Sequence, residues 1–258
     1  MPTDLTTDAL GLVSGVLVGF SLGLVGGGGS ILSVPLMIYL VGVTNVHVAI
    51  GTTAFAVAVN AAATLVSHAR MGTVIWSCAT TFALAGMIGA YGGSSVSKIV
   101  DGQKLLVLFA LLMLIIAAVM FVRRSAEGVK DVKLTRENLP RLLGTGLLTG
   151  SLSGFFGIGG GFLIVPGLMF AAAMPIINAV GSSLVAVTAF GATAAFNYAR
   201  SGLVDWRLAG VFIFGGVFGG LAGGQAAKAL GARRGALNTV FAGIIVVVAI
   251  YMLARSLL

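Results

Sequence analysis

Two glycine-rich stretches are the parts of this sequence most able to bind a ligand. They read Gly-Gly-Gly-Gly-Ser-Ile-Leu-Ser-Val-Pro over residues 26–35 and Gly-Ile-Gly-Gly-Gly-Phe-Leu-Ile-Val-Pro over residues 157–166. Consecutive glycines hold a helix poorly, so each stretch predicts a break followed by a short helix. Because the first N–H groups of that helix lack acceptors and carry its positive dipole end, they can bind an anion. The candidate substrate-binding residues are Gly26, Gly27, Gly28, Gly29, Ser30, Gly157, Gly159, Gly160 and Gly161, and the candidate helix-break residues are Pro35 and Pro166.

Close helix packing is the second interpretation of these glycines. It accounts for Gly15, Gly19 and Gly23, whose spacing of four residues lets two helix backbones approach each other. For the two stretches themselves, anion binding and packing both stay open. Neither stretch fits a nucleotide-binding loop, because no strand precedes it and no Gly-Lys-Ser/Thr follows it.

Hydroxyl and amide side chains are the other groups that could line a cavity beside these stretches. Helical hydroxyls often bond the preceding turn instead, so cavity lining and local bonding are both open for them. Asn60 and Asn197 lie in apolar surroundings, where an amide either lines a cavity or bonds a neighbouring helix. The candidate hydroxyls are Thr52, Thr53, Ser182 and Ser183.

Charged and titratable groups near the segment ends suggest a vestibule. Arg70 and Arg200 each follow a long apolar segment, where an arginine either anchors the topology or draws an anion into a vestibule or gate. Histidine is the residue type that ordinarily titrates near neutral pH, which makes His68 the candidate for proton coupling. Its counterpart in the repeat described below is Tyr198, so that role would belong to one half of the chain.

The composition is that of a membrane protein. Only 9% of the 258 residues are charged, and no charged residue lies between Asp8 and Arg70 or between Arg141 and Arg200. Such runs exceed the roughly 20 residues that cross a bilayer as a helix. A soluble enzyme and a nucleic-acid binder are therefore excluded. A single cysteine, Cys78, forms no intrachain disulfide, and no motif for a catalytic, metal or cofactor site is present.

An internal duplication divides the chain. The domains predicted from it are a first membrane repeat at 1–122, a charged cytoplasmic linker at 123–141 and a second membrane repeat at 142–258. We call aligned residues repeat mates: the offset between them is 131 through the glycine stretches and 130 after them. The pairs include Gly19 with Gly150, Pro35 with Pro166, Thr52 with Ser182, Arg70 with Arg200 and Trp76 with Trp206.

The predicted fold class is an all-α polytopic membrane protein with two homologous halves and about 8–10 membrane segments, each half carrying a Gly-interrupted broken or re-entrant helix. As helices, the segments at 31–42 and 162–174 cover roughly 18–20 Å of a bilayer core about 30 Å thick, and both a crossing and a re-entrant segment stay open for them. If each half crosses an odd number of times, the halves are inverted repeats. A cytoplasmic linker then puts ten Lys and Arg inside and five outside, with both termini outside. The apolar segments are 9–25, 31–42, 46–68, 73–96 and 104–122, then 142–156, 162–174, 176–199, 203–227 and 235–257.

The twin Gly-rich-then-Val-Pro elements, with the Gly-Thr-Thr and Gly-Ser-Ser stretches and the repeated Ala-Arg-x-Gly-x-Val-x-Trp blocks, resemble the TauE/SafE family, often called sulfite exporters. The resemblance covers about residues 10–255. It implies a multi-pass permease of a bacterial or archaeal inner membrane that moves sulfur-containing anions such as sulfite or organosulfonates, usually outward. The implied partners are that anion and the lipid bilayer, and a homodimer is the assembly considered with them. No cofactor is implied.

Other functions make different demands on the sequence. A permease for another oxyanion needs the same backbone site. A metal-cation permease needs ligands within the spans, and His47, His68 and Cys78 lack metal-site spacing. An intramembrane enzyme needs a catalytic set such as Ser, His and Asp, which the motifs do not supply. The expected function is therefore secondary transport of a small anion.

Overall fold

The structure, a computed structural model, describes residues 5–122, 132–157, 161–229, 243 and 246–255. The described residues are almost entirely helical and contain no strand, which confirms the all-α prediction. The elements are α1 Leu5–Val25, a 3-10 helix Gly26–Leu32, α2 Ser33–Pro35, a π-helical turn Leu36–Leu40, α3 Val46–Arg70, α4 Trp76–Ser97, α5 Gly102–Val122, α6 Leu139–Phe156, α7 Gly161–Ala172, α8 Ile176–Ala199, α9 Trp206–Ala229 and α10 Val246–Arg255.

Several of these helices are long and apolar enough to cross a membrane. The helical stretches that meet both conditions are Leu5–Leu24, Val46–Arg70, Ile176–Ala199 and Trp206–Ala226. Shorter apolar helices cover Gly26–Leu40, Gly102–Ile115, Gly161–Ala172 and Val246–Arg255. Residues 123–131 of the predicted linker lie outside the described residues.

Local signals set the helix ends. Asn45 begins α3 because its side-chain oxygen accepts hydrogen bonds from the N–H groups of His47 and Val48, at 3.0 and 3.3 Å. Pro140 lies in the first turn of α6, where a missing N–H costs no hydrogen bond. At its other end α6 is closed by Gly157, which has a left-handed φ of 66°.

The closest helix contacts join the two halves. A Cβ atom placed on Gly19 of α1 would lie 2.7 Å from the Cα of Gly216 in α9. A Cβ atom placed on Gly150 of α6 would lie 2.5 Å from the Cα of Gly86 in α4. These two pairs are repeat mates of each other. In both, glycine allows direct backbone contact between helices, so the packing interpretation holds at these positions.

Helix directions follow from which residues meet. Contacting positions rise together along α1 and α9, α3 and α9, α4 and α6, and α4 and α8, so these pairs are parallel. Along α3 and α8 the order is opposite, because Gly51 lies against Leu203 and Gly181 against Thr73. Helices α1, α3 and α9 therefore point one way, and α4, α6 and α8 point the other way. The contacts that define the parallel pairs are Gly15 with Phe212, Gly23 with Gly220, Asn60 with Gly216, Thr64 with Gly220, Gly146 with Phe82, Gly154 with Ala90, Phe82 with Phe190 and Ser97 with Tyr198.

Candidate functional site

The two glycine stretches meet in the interior. A Cβ atom placed on Gly27 would lie 2.7 Å from the Cα of Gly161, at the start of α7. All seven residues of the 3-10 helix Gly26–Leu32 are buried, as is Gly161. We call this contact between residues 26–30 and Gly161 the glycine crossing. It brings the first short segment and the start of the second into backbone contact, as a site shared by the two halves requires.

Gly26 and Gly157 are repeat mates that turn the chain. Their φ angles are 70° and 66°, in the left-handed region that favours glycine. Gly26 ends α1 against Val180 of α8, and Gly157 ends α6 against Ile50 of α3. Val180 and Ile50 are repeat mates as well. These two glycines therefore have a conformational role that is the same in both halves.

The remaining residues of the first stretch fold back on α1. A Cβ atom placed on Gly29 would lie 2.7 Å from the Cβ of Ser21. Gly28 is buried, and the hydroxyl of Ser30, also buried, donates a hydrogen bond to the carbonyl of Gly27 at 2.9 Å. A 3-10 helix begins directly at Gly26, so the first glycine stretch is itself helical rather than a break before a short helix. The predicted site residues Gly159 and Gly160 lie outside the described residues.

The two prolines occupy different local structures. Pro35 is the last residue of α2 and precedes the π-helical turn Leu36–Leu40. Pro166 lies inside α7, which continues to Ala172. Since proline lacks an N–H, each removes one backbone hydrogen bond within a short helix.

Two of the predicted hydroxyls connect the halves. Thr52 Oγ1 accepts a hydrogen bond from the N–H of Asp205 at 2.9 Å, and Ser182 Oγ accepts one from the N–H of Ile75, also at 2.9 Å. Both donors and both acceptors are repeat mates. Each bond ties a buried helix to the loop that precedes α4 or α9, which gives these hydroxyls a structural partner.

The neighbouring hydroxyls bond within their own helices. Thr53 donates to the carbonyl of Ala49 at 2.7 Å, and Ser183 donates to the carbonyl of Val180 at 2.7 Å. Ser183 also faces the glycine crossing, since a Cβ atom placed on Gly27 would lie 3.2 Å from its Oγ. Among the glycines that the structure describes at the crossing, Ser183 is the predicted hydroxyl that comes close, through Gly27.

The charged and titratable candidates lie towards the helix ends. Arg70 and Arg200 are exposed at the ends of α3 and α8, and the Arg200 guanidinium lies 5.9 Å from the ring centre of Phe196. His68 is half-buried, with Nδ1 3.0 Å from Thr73 Oγ1. The structure does not bring these three residues to the glycine crossing.

The two asparagines have opposite environments. The side-chain nitrogen of Asn197 donates to the hydroxyls of Ser94 and Ser95, at 2.8 and 2.9 Å, and its oxygen accepts from Lys98 Nζ at 2.8 Å. Asn197 thus bonds α8 to α4. Asn60 is only 2% exposed, yet neither of its amide atoms has a hydrogen-bond partner in the described part of the chain. The sequence marks both as buried amides but does not distinguish them.

A polar depression opens where α3 and α5 begin. It has a volume of about 640 Å³ and includes Asn45, His47, Asp101 and Gln103 in its lining. This end of α3 is the opposite end from Arg70. Within the described residues, no three His, Cys, Asp or Glu side chains are grouped as a metal site would require.

Comparison with known proteins identifies the family of this chain. The family described as Sulfite exporter TauE/SafE matches residues 11–252. A protein of Xylella fastidiosa (strain Temecula1) named Probable membrane transporter protein is 52% identical over 244 residues, 94% of each chain. A Haemophilus influenzae protein of the same name is 29% identical over 197 residues, 74% of this chain and 73% of that one. No solved structure matches. With its apolar helices and these relatives, the chain is a multi-pass membrane protein that belongs to the TauE/SafE family of membrane transporters.

Proposed function

We propose that this protein is a secondary transporter that exports small sulfur-containing anions, such as sulfite or organosulfonates, across the inner membrane. The observation that carries the proposal is the glycine crossing, where two broken segments from different halves touch inside the protein. Backbone N–H groups at such breaks offer an anion hydrogen bonds without a competing side chain. The family description, which names sulfite, favours this class of anion.

The proposed anion position is beside Gly28, close to Ser183 and to the start of the second short segment. Gly27 and Gly161 lie next to this position. The backbone of each occupies the space that a side chain on the other would need, so these two glycines form the frame of the site. Gly159 and Gly160 are proposed to complete the site from the second half. Binding by neutral backbone groups keeps the anion's affinity moderate, so that it can leave again on the other side.

The two halves are proposed to be inverted repeats. Repeat mates α1 and α6 point in opposite directions, as do α3 and α8, and α4 and α9, according to the contacts given above. These directions place Arg70 at the same end as the start of α6, and by the positive-inside rule this end is proposed to be cytoplasmic. The polar depression with His47 and Asp101 then opens outside. Rocking one set of helices against the other would expose the site to each side in turn.

Flux measurement in proteoliposomes tests the proposal. Purified protein should carry sulfite, thiosulfate or sulfoacetate down a gradient faster than protein-free vesicles do. A vesicle population with the Gly28→Val variant, at equal protein content, is the matched control and should show no added flux. Intact protein that moves none of these sulfur anions would overturn the substrate class. Flux of a different oxyanion or of a metal cation alone would assign the permease to that ion instead.

A further inference from the structure

A polar stripe runs along one face of α3. Spacings of seven, four and four residues bring Thr53, Asn60, Thr64 and His68 onto the same side of the helix. Thr53 is fully buried and Asn60 is 2% exposed, whereas Thr64 and His68 are half-buried. The stripe therefore leads from the interior of the protein towards the end of α3, where Arg70 is exposed.

The corresponding face of α8 is interrupted. The repeat mates of Thr53, Asn60 and Thr64 are Ser183, Phe190 and Ala194. Phe190 is fully buried and stacks on Phe82, with ring centres 6.1 Å apart. From Asn60 through Thr64 to His68 each turn of α3 carries a polar residue on this face, whereas α8 has a phenyl ring and an alanine at the first two of these positions; between Thr53 and Asn60 the same face of α3 is apolar, at Ala56 and Val57.

The side chains of Phe190 and Asn60 enter equivalent notches, each formed at a glycine of a neighbouring helix. Phe190 lies against Gly86 of α4, and Asn60 lies against Gly216 of α9, where a Cβ atom placed on the glycine would lie 2.5 Å from Asn60 Cγ. Gly86 and Gly216 are repeat mates. The duplicated frame therefore offers equal space, and the two halves fill it with an apolar ring and with an amide. This difference is chemical rather than architectural.

Burying the Asn60 amide without a hydrogen bond lowers the stability of the folded protein. A buried polar group without a hydrogen bond costs about 1–3 kcal/mol, so a partner in another state of the protein would offset a real penalty. The –NH₂ group supplies two donors, which suit the oxygens of a sulfur oxyanion. Ser14 of α1 is also fully buried without a partner in the described residues, and its helix meets Gly216 through Gly19. Ser153 of α6, in the other half, is likewise buried without a partner in the described residues, so it is the amide of Asn60, with two unpaired atoms, that carries the argument.

We propose that the Asn60 amide binds an oxygen of the transported anion, on a one-sided route along α3 that leads past Thr64 to the end marked by Arg70. This inference rests on the proposed function and adds a contact residue to it. It also assigns substrate recognition on this route to the first half alone. Asn197, which already has its partners, has no part in it.

Transport kinetics test the contact. Losing a hydrogen bond to a charged ligand should raise the KM of Asn60→Leu for sulfite about 10- to 100-fold, and should change the preference between sulfite and sulfoacetate. Asn60→Gln, which keeps the amide, should recover part of the loss. The matched control is Asn197→Leu, which breaks a satisfied network and should lower the melting temperature while leaving KM within about twofold. Wild-type KM and selectivity in Asn60→Leu, in protein whose wild type transports sulfite, would overturn the inference and leave the proposed function standing.

Thiol labelling tests the route without any flux. In a Cys78→Ala background, Asn60→Cys should react with a membrane-impermeant sulfonate-bearing thiosulfonate, and methanesulfonate should slow the reaction at least fivefold. Methanesulfonate is chosen because sulfite would consume the reagent. Absence of labelling, or labelling that methanesulfonate does not slow, would overturn the inference whatever the flux assay gives. Labelling at Asn197→Cys should be insensitive to methanesulfonate.

Discussion

The hydrogen bonds that join the two halves are equivalent, whereas the buried amide of Asn60, which has no partner in the described residues, is replaced by a phenyl ring at its repeat mate. Thr52 bonds the N–H of Asp205 and Ser182 bonds the N–H of Ile75, at the same 2.9 Å, so the ties between the halves are equivalent. Asn60 and Phe190 occupy equivalent notches but share no chemistry. The comparison teaches that the duplicated frame and the proposed anion route are separable: frame changes should affect folding, and route changes should affect transport.

The largest expected effect comes from breaking the frame at the glycine crossing. Gly161→Val forces a side chain into the carbonyl of Gly27, and such overpacking against backbone should cost about 3 kcal/mol or more. Little folded protein should be recovered, as measured by size-exclusion profile and melting temperature. Gly92→Val in α4 is the control, because a Cβ atom there meets nothing within 4 Å. Normal yield and stability of Gly161→Val would contradict the contact.

Gly28→Val tests the proposed anion position rather than the frame. The side chain would fill the anion's space, so transport should fall more than about 100-fold while the protein still inserts into the membrane. The same outcome is predicted for Gly159→Val. Flux per inserted molecule, normalised to a surface-labelled tag, is the measurement. Wild-type flux from both variants would show that these glycines serve packing alone.

Asn60→Phe makes the two notches alike. Because the equivalent notch at Gly86 holds a phenylalanine, the ring should fit, and it removes an unpaired amide. The melting temperature should stay the same or rise, while transport falls at least about 30-fold because the polar route is closed. The measurements are thermal unfolding and flux on the same preparation. A stable Asn60→Phe variant that still transports the anion would show that the difference between Asn60 and Phe190 has no role in transport.

The smallest expected effects come from the equivalent ties. Ser182→Ala and Thr52→Val each leave a backbone N–H without its acceptor and should each cost about 1–3 kcal/mol of stability. Denaturation of the two variants should give values close to each other, with KM for the anion unchanged. A large difference between them, or a KM change in either, would mean that the frame is not symmetric in energy or not separate from the site.

The sequence predicts the helices well because charges, glycines and prolines mark their ends. Residues 46–68 and 176–199 are predicted as helical segments, and α3 Val46–Arg70 and α8 Ile176–Ala199 are observed. The short segment around Pro35 agrees less well with the prediction. A 3-10 helix and a π-helical turn surround Pro35, since the backbone there follows the contacts of Gly27 and Gly29 rather than helix propensity.

The roles of single polar residues could not be predicted, because they depend on what lies across a helix contact. Asn60 and Asn197 are the same residue type in similar apolar runs, yet the partners of Asn197 stand about a hundred positions away on α4. Lys98 looks like a topology marker in the sequence, whereas its Nζ also bonds Asn197 and Ser201 and so joins the parallel ends of α4 and α8. Repeat alignment does not separate them either, since the mates of Asn60 and Asn197 are Phe190 and Ser67, and neither is an asparagine.

The pairing of α1 with α9 has a consequence for biosynthesis. α1 leaves the ribosome well before α9, to which its glycine face is matched, with about 180 residues of chain between them. At about 5–20 residues per second, α1 waits roughly 10–40 s in the bilayer before its partner exists. During that interval lipid or an insertase must cover its small-residue face. A ribosome stalled before α9 should therefore yield a nascent chain whose α1 crosslinks to insertion factors, and crosslinking should end once residue 229 is integrated.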